Sequence, residues 1–458
     1  MKILIIGLDG ASPLLVEKWI NQLPTFRRFK EEGTLGLSIP PAPAQTPVAW
    51  TTFMTGKNPG KHGIFSFAMR KTGTYKRRII YPELIKSKTI WKIASEHDKK
   101  IGVINMPMTT PQEIKGFMIP GFLHKDEGIP YPSEVQKKVR KKLDIEQIQG
   151  DLEIEVLGKV KEDPDNFFKR IHEITDQQNK VSLFLLQEEK WDIFATVFMG
   201  TDRIQHFFWK YIDENHPEYE HSKYCEETKK YYMKMDEIIN VFLETAPGNT
   251  TTILLSDHGF CPIQKEVLLN NYLQESGLLK MRDNKIDLKK SKAVSYGYGD
   301  IWLNLKGREP HGLVSLGKDY EKTREKMIHD LHKVRVDQKY PIKMVRKREQ
   351  IYWGPYVDEA PDLLVFFNKG WQAARHPEID TTKRRDKRYV IDNPKWSGGH
   401  DGAHDPQEVS GIFGILGPKT RCEKSKCNLW DVGPTILHLM NIQVPSDMDG
   451  KPICSVKS

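Results

Sequence analysis

Four short apolar runs, each next to residues that can carry chemistry, constrain this chain more than any other feature. Lys2–Gly7 reads as a buried strand, and Asp9-Gly10 follows at its end. Ile193–Met199 is followed by Asp202 and His206, and Thr251–Ser256 by Asp257 and His258. Gly411–Leu416 comes shortly after His400, which lies in Gly398-Gly-His-Asp401. Short runs without polar alternation are what strands buried on both faces look like, as in a parallel sheet.

Between these runs the pattern is helical. Helices are predicted over Pro13–Asn21, Pro24–Glu32, Pro47–Thr55, Ser87–His97, Pro164–Glu188, Ser222–Glu244 and Leu429–Met440, with further strands over Thr34–Ile39 and Ile101–Asn105. Strands alternating with helices give an α/β fold, a mostly parallel sheet covered on both faces. Residues of about 125–188 and about 265–395 break the alternation. They read as a helical insertion and a cap insertion over the sheet's carboxyl edge, within one catalytic domain spanning 1–458.

Composition narrows the class. With 458 residues, 38% hydrophobic and 29% charged, the chain can bury a large core and is not disordered. No apolar run reaches the ~18 residues of a membrane span. The first apolar run is too short for a signal peptide and is cut off by Asp9. Five cysteines are an odd number scattered over half the chain, so a reduced, cytoplasmic location is expected rather than a secreted disulfide framework. Cys422 and Cys427 are spaced as half a zinc site or a strained bridge would be. The net charge of +9 suits an anionic small-molecule substrate. The clusters Lys137–Lys142 and Lys383–Arg388 read as solvated faces, and no nucleic-acid-binding motif of known geometry accompanies them.

In open α/β sheets ligands bind beyond the carboxyl ends of the strands. Asp9, Asp202, His206, Asp257, His258 and His400 are therefore expected to meet, although they span most of the chain. Three carboxylates and three imidazoles suit Zn²⁺, with Mn²⁺ as the alternative. They suffice for two ions roughly 3.5–4 Å apart, which is the arrangement that clamps a phosphoryl group. Singly, each piece has a plainer reading: Asp9-Gly10 as a turn, Asp202-x3-His206 as a chance pair on one helix face, His400 or His404 as surface histidines. Adjacent strand residues point to opposite faces, so Asp257 and His258 share a site only if the chain turns; Gly259 permits that. Thr46 precedes Pro47, where an N-cap belongs. A hydroxyl there faces backbone N–H groups, and a metal ion would make it a nucleophile; without one it is a helix cap.

The order Asp9-Gly10, Thr46-Pro-Val-Ala-Trp-Thr-Thr-Phe-Met-Thr-Gly56, Pro59-Gly-Lys-His-Gly63, Gly200-Thr-Asp-Arg-Ile-Gln-His206 and Ser256-Asp-His-Gly-Phe260 resembles the type I phosphodiesterase/nucleotide pyrophosphatase branch of the alkaline phosphatase superfamily. Asp431–Met440 followed by Val444–Gly450 is similar to that family's C-terminal helix and loop. The resemblance implies an alkaline-phosphatase-like three-layer sandwich and a two-metal hydrolase of phosphate esters. It implies that Thr46 is the nucleophile. It also implies that Asp9, Thr46, Asp257 and His258 hold one ion, and that Asp202, His206 and a C-terminal histidine hold the other. His400 fits the glycine pattern of that motif best, and His404 remains the alternative.

The family commonly has an Asn three residues after the nucleophile. Ala49 stands there, so nucleotide pyrophosphatase activity does not follow from the resemblance. Phosphomonoesterase, sulfatase and phosphotransferase activities stay open within the superfamily. Arg203 and Lys57 are either phosphate contacts or solvated cations. Tyr296-Gly-Tyr-Gly-Asp-Ile-Trp302 is either a stacking surface or a strand with core aromatics.

Overall fold

The computed structural model of the protein describes residues 1–124, 129–145, 151, 154–283, 285–375, 389–392, 395–418, 420–422 and 425–456. Its centre is an eight-stranded sheet. In chain order the strands are β1 (Lys2–Leu8), β2 (Thr34–Ile39), β3 (Ile101–Met106), β4 (Gly116–Pro120), β5 (Ile193–Phe198), β6 (Thr250–Leu255), β7 (Gly411–Leu416) and β8 (Lys426–Asn428). The spatial order is β8-β2-β7-β6-β1-β5-β3-β4. β1 pairs in parallel with β5 and β6, and β3 in parallel with β5 and β4. β7 runs antiparallel to both of its neighbours, β6 and β2.

Alternation along β1 builds the two outer layers. Ile3 and Ile5 face a core shared with Trp50, Phe53, Trp91 and Ile436. Leu4, Ile6 and Leu8 face a second core with Phe26, Phe29, Phe167, Leu185 and Tyr231. Helices therefore cover both faces, as the apolar strand runs require, and the molecule is a three-layer α/β sandwich. The long helix Pro164–Glu188 packs in the second of these layers through Phe167, Ile171, Val181 and Leu185.

A smaller antiparallel sheet is built from Ala293–Val294, Asp300–Leu303, Leu363–Phe367 and Ile342–Lys347. With the helix Lys318–Leu331 it encloses its own core, which takes in Tyr296, Ile301 and Trp302. The core reading of the Tyr296–Trp302 segment is the one realised for these residues. Lys137–Lys142 lie on the helix Ser133–Leu143, which buries Val135 and Val139 and leaves Lys137, Lys141 and Lys142 exposed. Lys383–Arg388 lie outside the described residues. No helix among the described residues is long and apolar enough to cross a membrane.

Two expectations are corrected. Cys422 is bonded neither to Cys427 nor placed beside it as half a metal site; it forms a disulfide with Cys454. The antiparallel pairing of Thr420–Cys422 with Cys454–Val456 brings those two side by side. Cys427 is a buried thiol on β8. Thr46 is not the N-cap but the first helical residue of Thr46–Thr55, and Gln45 occupies the cap position. Proline is tolerated at either of the first two helical positions, so Pro47 alone leaves the start uncertain by one residue.

Candidate metal centre and active site

Asp9 lies one residue past the end of β1, and Asp257 and His258 two and three past the end of β6. β5 runs into the helix Gly200–Ile212, whose first turn carries Asp202 and whose second carries His206 on the same face. β1 lies between β5 and β6, so all three strand ends open at one place. His400 reaches it by a different route. Gly398 and Gly399 pair antiparallel with Pro262 and Cys261, and that register leads His400 toward His258. Gly259 assists through its size rather than through a left-handed turn: a Cβ there would lie 2.3 Å from the Ser410 carbonyl oxygen.

The structure brings all seven expected residues together. Asp9, Thr46, Asp202, His206, Asp257, His258 and His400 are each at most 4% exposed. Asp202 Oδ1 is 3.3 Å from Nε2 of both His206 and His400. His258 Nε2 is 3.2 Å from Asp257 Oδ2, 3.8 Å from Asp9 Oδ1 and 3.4 Å from Thr46 Oγ1. Two trios, Asp202/His206/His400 and Asp9/Asp202/His258, each offer ligand atoms within 4.8 Å of one another.

Every carboxylate and imidazole in this set is held at one atom by a group outside the set and turns the other into the pocket. Trp50 Nε1 donates to Asp9 Oδ2 at 2.8 Å, Arg203 Nη1 to Asp202 Oδ2 at 2.9 Å, and the Gly10 amide to Asp257 Oδ1 at 3.1 Å. The opposite oxygens, Asp9 Oδ1, Asp202 Oδ1 and Asp257 Oδ2, are buried without a hydrogen-bond donor. The imidazoles repeat the pattern. Nδ1 of His206, His258 and His400 faces the carbonyl oxygens of Gly398, Gly259 and Ala44 at 3.1, 3.2 and 2.6 Å. A carbonyl only accepts, so each Nδ1 carries a proton and each Nε2 is the nitrogen turned into the pocket, where a bound cation would take its lone pair. Histidines oriented this way by a backbone carbonyl are set up as metal ligands. Orphaned oxygens and nitrogen lone pairs at one buried point are a donor set that fits divalent cations.

The electrostatics agree. Burial, followed by the charge of Asp202, pushes the Asp9 carboxyl up to about 8. Burial and the neighbouring Asp9 raise Asp257 well above the usual carboxylate range. Burial also opposes the charge of Asp202, yet His206, His400 and Arg203 together hold it well below that range. Burial lowers His206 and lowers His258 strongly, so both are neutral. Three carboxylates packed together repel one another unless cations intervene.

Sequence reasoning placed two cations loosely. Arg203 is neither a free phosphate contact nor a solvated side chain: it is bound to Asp202 and to Asp151. Lys57 is buried in an ion pair with Asp447. His404 is buried with neither ring nitrogen hydrogen-bonded, and burial pushes it down to about 4. His400 is the one of the two that approaches Asp202. The sequence reading missed Trp50, whose signal was its place four residues after Thr46. It also missed Trp396, whose ring covers His206 at 3.8 Å between centroids, and Arg375, paired with Asp401 at 3.2 Å. Trp396 and Arg375 come from loops with no local pattern to mark them.

An α/β sandwich with a buried Asp/His donor set around a helix-terminal threonine defines the alkaline-phosphatase-like class. Comparison with known families is in accord: the profile of the type I phosphodiesterase / nucleotide pyrophosphatase family matches residues 3–403. The chain belongs to that family and is a hydrolase of phosphate esters. Comparison with curated protein sequences gives no match.

Among solved structures, an inactive variant of murine ectonucleotide pyrophosphatase/phosphodiesterase 5 in complex with AMP is similar, with a TM-score of 0.58 at 14% identity. It covers 97% of this chain and 96% of its own. The human form of that protein gives 0.57 at 14%, over 98% and 97%. Phosphonoacetate hydrolase from Sinorhizobium meliloti, in complex with phosphonoformate, gives 0.57 at 16%, over 94% of each chain. At these identities the likeness is one of fold.

Proposed function

We propose that Thr46 is the nucleophile of a two-step phosphodiester hydrolysis and that the surrounding carboxylates and imidazoles hold two divalent ions, Zn²⁺ or Mn²⁺. Asp9, Asp257, His258 and Thr46 form one ligand set, and Asp202, His206 and His400 the other. The observation that carries the reading is that the donor-less oxygens of Asp9 and Asp257 gather at His258 Nε2, itself 3.4 Å from Thr46 Oγ1, with the donor-less oxygen of Asp202 between His206 and His400. When bound, the ions supply charge neutralisation, polarisation of the phosphoryl oxygens and a lowered pKa for oxygen nucleophiles.

The residues do the rest. Thr46 Oγ attacks phosphorus, losing its proton to solvent; the Thr46 O–P bond forms, the bond to the leaving oxygen breaks, and that oxygen takes a proton from solvent to leave as the alcohol. Water then cleaves the Thr46–phosphoryl ester and the threonine hydroxyl is restored. The N-terminus of the Thr46 helix points its N–H groups and positive dipole end at the developing charge. Trp396, which covers His206, also lines a cavity of about 620 Å³ with Phe207, Tyr211, Lys210 and Lys395. Ligands drawn from both ends of the chain support reading it as one catalytic domain, with about 125–188 and 265–395 as insertions.

The test is turnover of a chromogenic phosphodiester beside a phosphomonoester and a sulfate ester, before and after chelation. Diester turnover that EDTA abolishes and Zn²⁺ or Mn²⁺ restores is the expected result. Undiminished turnover by metal-stripped protein overturns the metal reading, and preference for the monoester or sulfate moves the enzyme elsewhere in its superfamily.

A further inference from the structure

We propose that Trp50 is a positioning residue, whose indole N–H fixes the Asp9 carboxylate for a metal ion and couples that ligand to the helix bearing Thr46. The inference rests on the metal reading above and adds to it a residue outside the ligand set.

Trp50 is fully buried and follows Thr46 by one helical turn, so the two share a helix face. Its Nε1 donates to Asp9 Oδ2 at 2.8 Å, while Asp9 Oδ1 is left facing the pocket. The indole lies across β1 at a place the sequence keeps open. A Cβ on Gly7 would sit 2.7 Å from Trp50 Cη2 and 2.8 Å from Val197 Cγ2. Gly7 thus admits the ring over the strand, and the N–H reaches the carboxylate two residues further along.

Packing alone would be served by any large apolar ring; the nitrogen is what the indole adds. Without it, Asp9 Oδ2 would be buried with no donor, and the carboxylate would be free to turn. A metal ion would then have to order its own ligand. With it, one rigid helix carries both the hydroxyl and the group that orients Asp9. The donor therefore sets affinity at the Asp9 side of the centre, leaving the Asp202/His206/His400 side untouched.

The experiment measures both metal-binding steps by chelator competition on the full chain, for wild type, Trp50→Phe, and protein with benzothienylalanine at position 50. The last replaces N–H by sulfur and keeps the bicyclic shape, so it answers the question even if the phenylalanine variant folds poorly. The expected result is a loss of about 10- to 100-fold in one binding step, as for other groups that orient metal ligands. The other step should stay within a factor of about three. Two unchanged steps in the benzothienyl protein, or equal weakening of both, overturn the proposal while leaving the metal reading intact. A wild type that binds no Zn²⁺ or Mn²⁺ overturns both.

Discussion

His258 and His400 lie face to face, with ring centroids 3.4 Å apart and planes 12° from parallel. They come from two neighbouring segments: His258 from beyond the end of β6, His400 from the Gly398–Gly399 pairing beside it. Stacked this closely, the two rings share a wall of the pocket while their Nε2 atoms serve different carboxylates, Asp257 and Asp202.

Replacing His400 is therefore expected to cost more than replacing His404. His400→Ala should lower turnover by at least about 100-fold, beyond what loss of an outer partner costs. His404→Ala should stay within about tenfold, its penalty being one of packing. Steady-state kinetics with saturating Zn²⁺ decide the ranking, and the reverse order would transfer the ligand role to His404.

Thr46→Ala should fold normally. Gln45, not Thr46, is the cap, so the loss should stay below the ~1 kcal/mol of a missing cap. Turnover should nevertheless fall by roughly 10³-fold or more, since a covalent nucleophile is gone. No neighbouring hydroxyl replaces it. Thr51 and Thr55 donate to the carbonyls of Pro47 and Thr51, and Thr52 is bonded to His62. Thr46→Ser should keep measurable activity. Mass spectrometry of quenched reactions should find the phosphoryl adduct on the Thr46 peptide in wild type and not in the alanine variant; an alanine variant with normal turnover would refute the role.

In metal-free protein, Asp9 should contribute stability that is lost as pH rises from about 4 to about 8. Asp9 has its folded value pushed up to about 8 against an ordinary 3.8, so in that window the native state holds a proton the unfolded chain has released. This contribution favours unfolding as pH rises, and Asp257 acts in the same direction, whereas the buried neutral His206, His258 and His404 act oppositely below about pH 6.5. Divalent ions replace the proton and bind better as the carboxylates ionise. The gap in Tm between Zn²⁺-loaded and EDTA-treated protein should therefore widen from about pH 5 to about pH 8. A gap that narrows would contradict the assignment.

The Cys422–Cys454 disulfide should contribute measurably to stability. It closes a loop of sequence separation 32 that includes the helix Leu429–Leu439, which packs against the Thr46 helix. Chain entropy puts its worth at about 3–4 kcal/mol. Cys454→Ser, or a reductant, should lower the denaturant midpoint of wild type, and reductant should do nothing further to the variant. Identical midpoints would mean that the bond carries no load.

Much of the centre was legible because its residues follow unambiguous local signals. The strand at Gly411–Leu416 and the helices at Pro24–Glu32 and Pro164–Glu188 begin and end where apolar runs meet prolines, glycines or charges. Five of the candidate ligands sit where local patterns point, Asp9, Asp257 and His258 just past strand ends and Asp202 and His206 on one helix face. β8 and the two-residue pairing at Gly398–Gly399 were not legible, being too short to show a period. The small sheet escaped because charged loops interrupt its strands. Trp50 looked like one more apolar helix residue: its distinction is an N–H aimed at Asp9, a relation between distant segments that no local pattern records.

β7 has a consequence for how the chain is made. It is inserted between β2 and β6, yet it is translated long after either of them. Until residues 411–416 leave the ribosome, the growing molecule presents two bare strand edges that await the same partner, and such edges recruit neighbouring chains. His400 emerges just before that strand. Closure of the sheet and completion of the donor set are thus nearly simultaneous, and a nascent chain that stalls earlier lacks both.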